Sequence, residues 1–345
     1  MANKGEWELR KFQIVLSAAL AGMAGFAGAA AAQTDVKFAL DWKPEGPSAP
    51  YYVALDKGYY KAEGLDVTID TGPGSVAGIG RIAGGAYPIG FMDLNSLAKF
   101  RDQNPGNSVK AVMIVYDAPA FAIASLSKAG IAKPKDLEGK ILGAPPPDGA
   151  WAQWPAFVKA NSIDTSKVKV DPIGFPVREP MLAQGKVDAI TGFSFSMVFN
   201  LMQANVPQAD IKTMMMSDFG IVMYGNAIMV NADYAAKNPK VVAGFVKATI
   251  KGMQDTVKDP AAAVKSVMKR NETGSEKIEL ERLSMALKDN IVTPWVKANG
   301  FGGVDAARLA KSLEQIGETY DFKTKPKAED IFTSEFLPPA ADRKL

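Results

Sequence analysis

Chemistry in this chain must come from carboxylates, hydroxyls, amides and aromatic rings, because its 345 residues contain neither histidine nor cysteine. That removes Ser-His and Cys-His nucleophilic catalysis, imidazole or thiolate zinc sites, and disulfides. Three carboxylates stand at turns or helix starts, Asp93, Asp148 and Glu179, and each can give or take a proton. No spacing among them singles out an acid–base pair. The aromatic residues are more pointed. Trp42 lies between an apolar run, Val36 to Leu40, and the prolines Pro44, Pro47 and Pro50, so a stiff loop can present its ring. A planar guest stacked there gains on the order of 1 kcal/mol beyond its buried area. Tyr51 opens the next helix with a hydroxyl to donate. Trp151 and Trp154, three apart at another helix start, share one face. One of the two is expected in the core, and Trp151 is assigned to the ligand.

Polar groups can complete such a site. The turn Thr71-Gly-Pro-Gly-Ser75 lets backbone approach a guest closely, and Ser75 can cap the helix that follows. Asp93, Asn95 and Ser96 serve either as helix caps or as hydrogen-bond partners of a ligand. Asp148 and Gly149 turn a loop stiffened by three prolines, and Asp148 to Trp151 with Phe193, Ser194 and on to Ser196 are expected to form the opposing wall. Asn226 is an amide in the apolar run Val222 to Val230; unpaired it is costly, so it must bond ligand or backbone. Arg178 suits an anionic group, although a surface ion pair with Glu179 is the stronger reading. Helix N-termini at Ser75, Ser96, Gly149 and Ser196 keep open a small oxyanion such as a sulfonate or nitrate. A lyase or dehydratase using Asp93, Asp148 and Glu179 is the alternative of another class. No metal site and no cofactor are expected.

The elements that must hold these residues begin as strand, loop, helix, strand: Val36 to Leu40, the proline loop, Tyr51 to Glu63, and Leu65 to Ile69. In open α/β sheets ligands bind outside the carboxyl ends of the strands. Apolar runs of strand length then alternate with helical patterns, the pattern of an α/β fold with a mostly parallel sheet. Gly85 to Ser96 and Gly185 to Ser196 repeat one theme, a short strand stopping at a polar helix start, which predicts two lobes built alike. After Ala232 the pattern is helical. At the other end, Lys4, Arg10 and Lys11, the apolar run Phe12 to Ala29 and Ala30 to Ala32 read as a cleaved secretory signal over residues 1–32. The expected location is the periplasm. Lys+Arg 40 against Asp+Glu 37 is a near balance, so no nucleic-acid partner is implied.

The stretch Leu40-Asp-Trp-Lys-Pro44, followed by Tyr51-Tyr-Val-Ala-Leu-Asp-Lys-Gly-Tyr-Tyr-Lys-Ala-Glu-Gly-Leu-Asp-Val67, resembles periplasmic solute-binding proteins of ABC importers. The group is that of the nitrate, sulfonate and taurine binders and the thiamine-pyrimidine-precursor (NMT1/THI5-like) proteins. The resemblance implies a two-lobe periplasmic-binding-protein-like fold (type II), each lobe a mostly parallel sheet flanked by helices. It implies a first lobe of residues 33–122 and 225–345, a second of residues 123–224, and crossovers at Phe121 to Leu126 and Gly220 to Ile228. A small ligand would sit between the lobes of a monomer, and closure would be read by an ABC transporter permease in the inner membrane. The Leu-Asp-Trp-x-Pro start is most similar to the pyrimidine-precursor subgroup, whose members hold a flat heterocycle against aromatic rings. This chain departs from that subgroup in having Glu45, Gly46, Pro47, Ser48 and Ala49 where Asn and His are usual. Yeast-type pyrimidine synthases of this fold use a histidine and a cysteine-rich motif, and neither residue type occurs here.

Overall fold

The computed structural model describes residues 33–345, so the expected export signal lies outside the described residues. β1 (Thr34–Ala39) and β2 (Leu65–Asp70) pair in parallel, Thr34 opposite Leu65 through Ala39 opposite Asp70. β3 (Ile89–Asp93) joins the other edge of β1 in parallel. β10 (Asn226–Asn231) runs antiparallel between β3 and β4 (Val109–Ile114). The first sheet therefore has the order β2-β1-β3-β10-β4. β3 is buried along its whole length, as a strand covered on both faces requires.

The second sheet repeats the plan. β6 (Ile141–Ala144) pairs in parallel with β7 (Lys169–Pro172) and β8 (Ala189–Phe193), and β5 (Phe121–Leu126) runs antiparallel between β8 and β9 (Ile211–Met215). Its order is β7-β6-β8-β5-β9. The two segments with repeated sequence thus become β3 and β8, third in their sheets, each running straight into a helix, Leu94–Gln103 and Ser194–Gln203. In each sheet the one antiparallel strand is the strand that arrives from the other lobe.

Two boundaries differ from expectation. Phe121–Leu126 is a wholly buried strand bonded on both edges, so it is β5 of the second sheet and not a crossover. The chain passes between sheets just before it, over residues 115–120, and returns over residues 216–225. Ile228, likewise, already belongs to β10. Arg308 ties the two passages together: its guanidinium donates to the Asp117 carboxylate at 3.2 Å and to the Met223 carbonyl at 2.7 Å. The expected helix Tyr51 to Glu63 is two helices, Ala49–Asp56 and Tyr59–Ala62, broken by Gly58 at φ 70°.

Helices of the C-terminal third pack on the first lobe. Phe38 of β1 sits between Tyr51 and Phe245, ring centroids 5.1 and 5.0 Å away. The helix Pro239–Lys258 approaches the helix Ala49–Asp56 so closely that a Cβ at Gly252 would lie 2.1 Å from the Pro50 carbonyl oxygen. Backbone cannot yield there, so Gly252→Ala is expected to cost about 1–3 kcal/mol, the usual range for overpacking. A urea titration with a lowered midpoint and unchanged slope would register it. The tail returns to the first sheet, where the Thr333 amide donates to the Ala111 carbonyl at 3.0 Å. Among the described residues no helix is long and apolar enough to cross a membrane.

Candidate functional site

β1 ends at Ala39, and Leu40, Asp41 and Trp42 leave its carboxyl end into a cleft between the sheets. About 600 Å³ of space lies between the walls of the cleft, solvent-open space included. Trp42 meets Phe175 across it, ring centroids 4.2 Å apart and planes tilted by 53°. Phe175 is the first residue of the helix Phe175–Ala183, which starts just beyond β7. A second aromatic group spans both lobes: Phe91 of β3, Tyr116 of the first crossover, Phe193 at the end of β8, and Phe195. Tyr116 lies edge-on to Phe91, Phe193 and Phe195 at 5.2, 6.3 and 5.8 Å.

Charges are packed beneath these rings. Glu45 accepts from the Trp42 indole at 3.1 Å and from the Ser196 hydroxyl of the second lobe at 2.6 Å. Burial alone would raise its pKa, but Arg282, 3.3 Å away, and Lys43 hold it below the usual carboxylate range. Arg282 also pairs with Glu279 at 3.0 Å and reaches the second lobe, donating to the Phe195 and Ser196 carbonyls at 3.1 and 3.2 Å and to the Asn200 side chain at 3.0 Å. Arg178 is paired with Glu179 and lies 3.9 Å from Asp148. That pair is buried beside the cleft, not on the surface as expected.

Asp41 and Asp148 line the cleft from opposite lobes. Burial, followed by the Asp148 charge, pushes Asp41 up to about 7, against hydrogen bonds from Asn226 and Ser75. Burial pushes Asp148 up to about 6, against the pull of Arg178.

Of the residues expected at the site, Trp42, Ser75, Asp148 and Phe193 line the cleft, as do Arg178 and Ser196. Ser75 does not cap its own helix; its hydroxyl donates to Asp41 at 3.4 Å and accepts from the Asp93 amide at 3.1 Å. Asn226 stands behind the cleft, its side-chain amide donating to the Asp41 carboxylate of the wall at 2.7 Å. Tyr51 is in the core of the first lobe against Phe38 and Phe91, and burial raises its hydroxyl pKa well above the ordinary value.

Asp93 is the N-cap of the helix Leu94–Gln103, taking the Asn95 and Ser96 amides, and Gln153 of the second lobe donates to it at 3.0 Å. Asn95 is turned inward to the Tyr224 carbonyl at 2.7 Å, and the Ser96 hydroxyl to Asp93 at 2.5 Å. Gly149 packs against Asp93 and Ser75, Ser194 is buried, and the Pro44 carbonyl accepts from Asn271 at 3.1 Å. Trp151 stacks on the buried Trp154 at 6.0 Å and faces a separate groove with Lys99 and Tyr320, because its helix turns that face towards the helix Ala306–Tyr320.

Several cleft residues were passed over. Asp41 and Glu45 had a signal, since they flank Trp42 in the same loop. Phe175 follows β7 as Trp42 follows β1, and the repeat of strand and loop pointed to it. Tyr116 had none, because it reaches the cleft only through the crossover, and Arg282, behind the lining, meets Glu45 only through the packing of the helix Glu276–Ala286; Phe195 lies within the expected wall Phe193 to Ser196.

A family model described as "NMT1/THI5 like" matches residues 46–263. The formylaminopyrimidine-binding protein of Halalkalibacterium halodurans is 26% identical, over 87% of this chain and 89% of that one. The riboflavin-binding protein of Chloroflexus aurantiacus is 25% identical, over 88% of this chain and 86% of that one. Among solved structures, the alkanesulfonate-binding protein of Xanthomonas axonopodis pv. citri bound to MOPS superposes with a TM-score of 0.67 at 13% identity, covering 88% of this chain and 99% of the other. That likeness establishes the two-lobe periplasmic-binding-protein fold, and the match over most of both lobes establishes the kinship: the chain belongs to the NMT1/THI5-like family.

Proposed function

We propose that the protein is a non-catalytic receptor that captures a small planar aromatic or heterocyclic solute between its lobes outside the cytoplasm and delivers it to an ABC permease. The observation that carries this reading is the pairing of Trp42 and Phe175 from opposite lobes at the mouth of an aromatic cleft. With centroids 4.2 Å apart the two rings touch, so a flat guest enters between them only as the lobes part, and then gains apolar burial and ring contact from both sides. Two relatives named for formylaminopyrimidine and riboflavin, both flat nitrogen heterocycles, support it. Residues 33–114 with 226–345 and residues 121–215, joined by the two passages, are the two bodies that close, and a ligand shifts their equilibrium by binding the closed form more tightly. The receptor acts as a monomer.

An oxyanion suits the cleft less well. Both buried guanidiniums already serve carboxylates, Arg178 with Glu179 and Arg282 with Glu45 and Glu279. The test is native mass spectrometry of the purified protein, followed by a thermal-shift screen of formylaminopyrimidine, riboflavin, an alkanesulfonate and nitrate. A heterocycle at a hundred times its Kd should stabilise the fold by about 2.7 kcal/mol, and the anions should leave Tm unchanged. Stabilisation by the sulfonate or nitrate alone would reverse the assignment, and conversion of a bound heterocycle into product would end the receptor reading.

A further inference from the structure

We propose that Asp41 and Asp148 form a single cross-lobe subsite for hydrogen-bond donors. The cleft then accepts a ligand that offers N–H groups or positive charge to both lobes, and accepts one that offers a donor to a single lobe only together with a proton. The inference rests on the receptor reading above, in which the lobes close over the guest.

The geometry begins with what each carboxylate already holds. Asp41 Oδ2 accepts from the Asn226 amide at 2.7 Å and the Ser75 hydroxyl at 3.4 Å, and no cation pairs with Asp41 among the described residues. Asp148 Oδ1 accepts the Ala150 amide at 3.2 Å. Asp148 Oδ2 has no hydrogen-bond partner, and the nearest guanidinium nitrogen, Arg178 Nη1, is 3.9 Å away. Both side chains are more than nine-tenths buried, at 9% and 5% exposure. A buried carboxylate oxygen without a donor is expensive, and a ligand N–H or a proton removes the cost.

Neighbouring charge does not do so. Facing the pair are Glu45 with Arg282 and Glu279, Arg178 with Glu179, the exposed Lys43, and the phenols Tyr51 and Tyr116, which burial keeps protonated. Asp41, Glu45, Asp93, Asp148, Glu179 and Glu279 make six buried carboxylates against the two guanidiniums of Arg178 and Arg282, and Asp93 is served by the Asn95 and Ser96 amides of its helix start and by Gln153. Each guanidinium is committed elsewhere, so the surplus negative charge rests on Asp41 and Asp148. Closing the lobes brings these two like charges into one dry site, which favours protonation of one of them.

The sign follows from linkage. In this structure the two groups lie at about 7 and about 6, and parting the lobes lets in water, which relieves the burial that raises them and moves both towards the ordinary aspartate value of about 3.9. Closure therefore takes up a proton at pH values between those limits, and none above the closed values. The Kd of a ligand that offers a donor to a single lobe should rise about tenfold per pH unit for each proton taken up across that window. It should level off above about pH 7.

Titration calorimetry on the full-length protein tests this, with two uncharged probes, riboflavin, whose ring offers a single N–H, and formylaminopyrimidine, whose ring carries an amino group, at pH 5.5 and 8 in buffers of different ionisation enthalpy. The expected result is uptake of between one and two protons per riboflavin at pH 5.5, little at pH 8, and an affinity at least tenfold weaker at pH 8. Asp148→Asn, which keeps the shape and removes one charge, should cut the uptake by about half, and Asp41→Asn by at least as much. Riboflavin binding without proton uptake, and with one Kd at both pH values, would overturn the subsite while leaving the receptor intact. Failure of both probes to bind at either pH would instead remove the receptor reading, and the subsite with it.

Discussion

Arg282→Met is expected to destabilise the protein by about 3–5 kcal/mol, the cost of leaving buried partner charges uncompensated. Arg282 is 1% exposed and sits between Glu45 and Glu279, at 3.3 and 3.0 Å. It also holds the first turn of the helix Ser194–Gln203 through the Phe195 and Ser196 carbonyls, so its loss loosens the second lobe as well. The pH dependence identifies the cause. With the guanidinium gone, burial is left to raise both glutamates above their unfolded value of about 4.3. A carboxylate raised in the folded state contributes most stability below its unfolded pKa and loses it as pH rises through the folded one. The deficit in Arg282→Met should therefore be smaller near pH 5 than at pH 8 in parallel urea titrations. A deficit of equal size at both would mean that Arg282 acts by packing and not by charge.

Trp42→Ala should weaken a planar ligand at least tenfold, about 1.4 kcal/mol or more, and barely move Tm. The indole belongs to none of the buried core clusters, so its removal leaves the core intact. What disappears is the ring opposite Phe175 and the donor to Glu45 Oε1. Trp42→Phe restores a ring without the N–H, so an affinity between wild type and Trp42→Ala divides the two contributions. Calorimetry gives the affinities and circular dichroism the melting curves; an unchanged Kd in Trp42→Ala would take Trp42 out of the site.

The legible part of the site was the part carried by one loop. Trp42, with Asp41 and Glu45 beside it, leaves the carboxyl end of β1, and a strand followed by a proline-stiffened loop is a local pattern. Asp148 and Phe193 were legible for the same reason, as residues just beyond strands of the second sheet. Cap residues misled. Asp93, Asn95 and Ser96 have the composition of a ligand-binding turn, yet their polar atoms are consumed by the helix start, Tyr224 and Gln153. A cap and a ligand contact ask for the same residue types, and only the direction of the side chain separates them. Trp151 failed similarly: helical spacing placed it on one face with Trp154, but not which neighbour that face meets.

Period, punctuation and composition by themselves determined an α/β chain of two similarly wound halves, the helical C-terminal third, and the absence of imidazole and thiol chemistry, because each of these is a property of neighbouring residues or of the whole count. Tertiary structure alone decided which strands leave one sheet to complete the other, that Arg282 reaches from a late helix to the second lobe, and that Asp41 and Asp148 share a cleft. Those outcomes depend on contacts between residues far apart in the chain, and local spacing holds no record of which distant surfaces will meet once the apolar faces are buried.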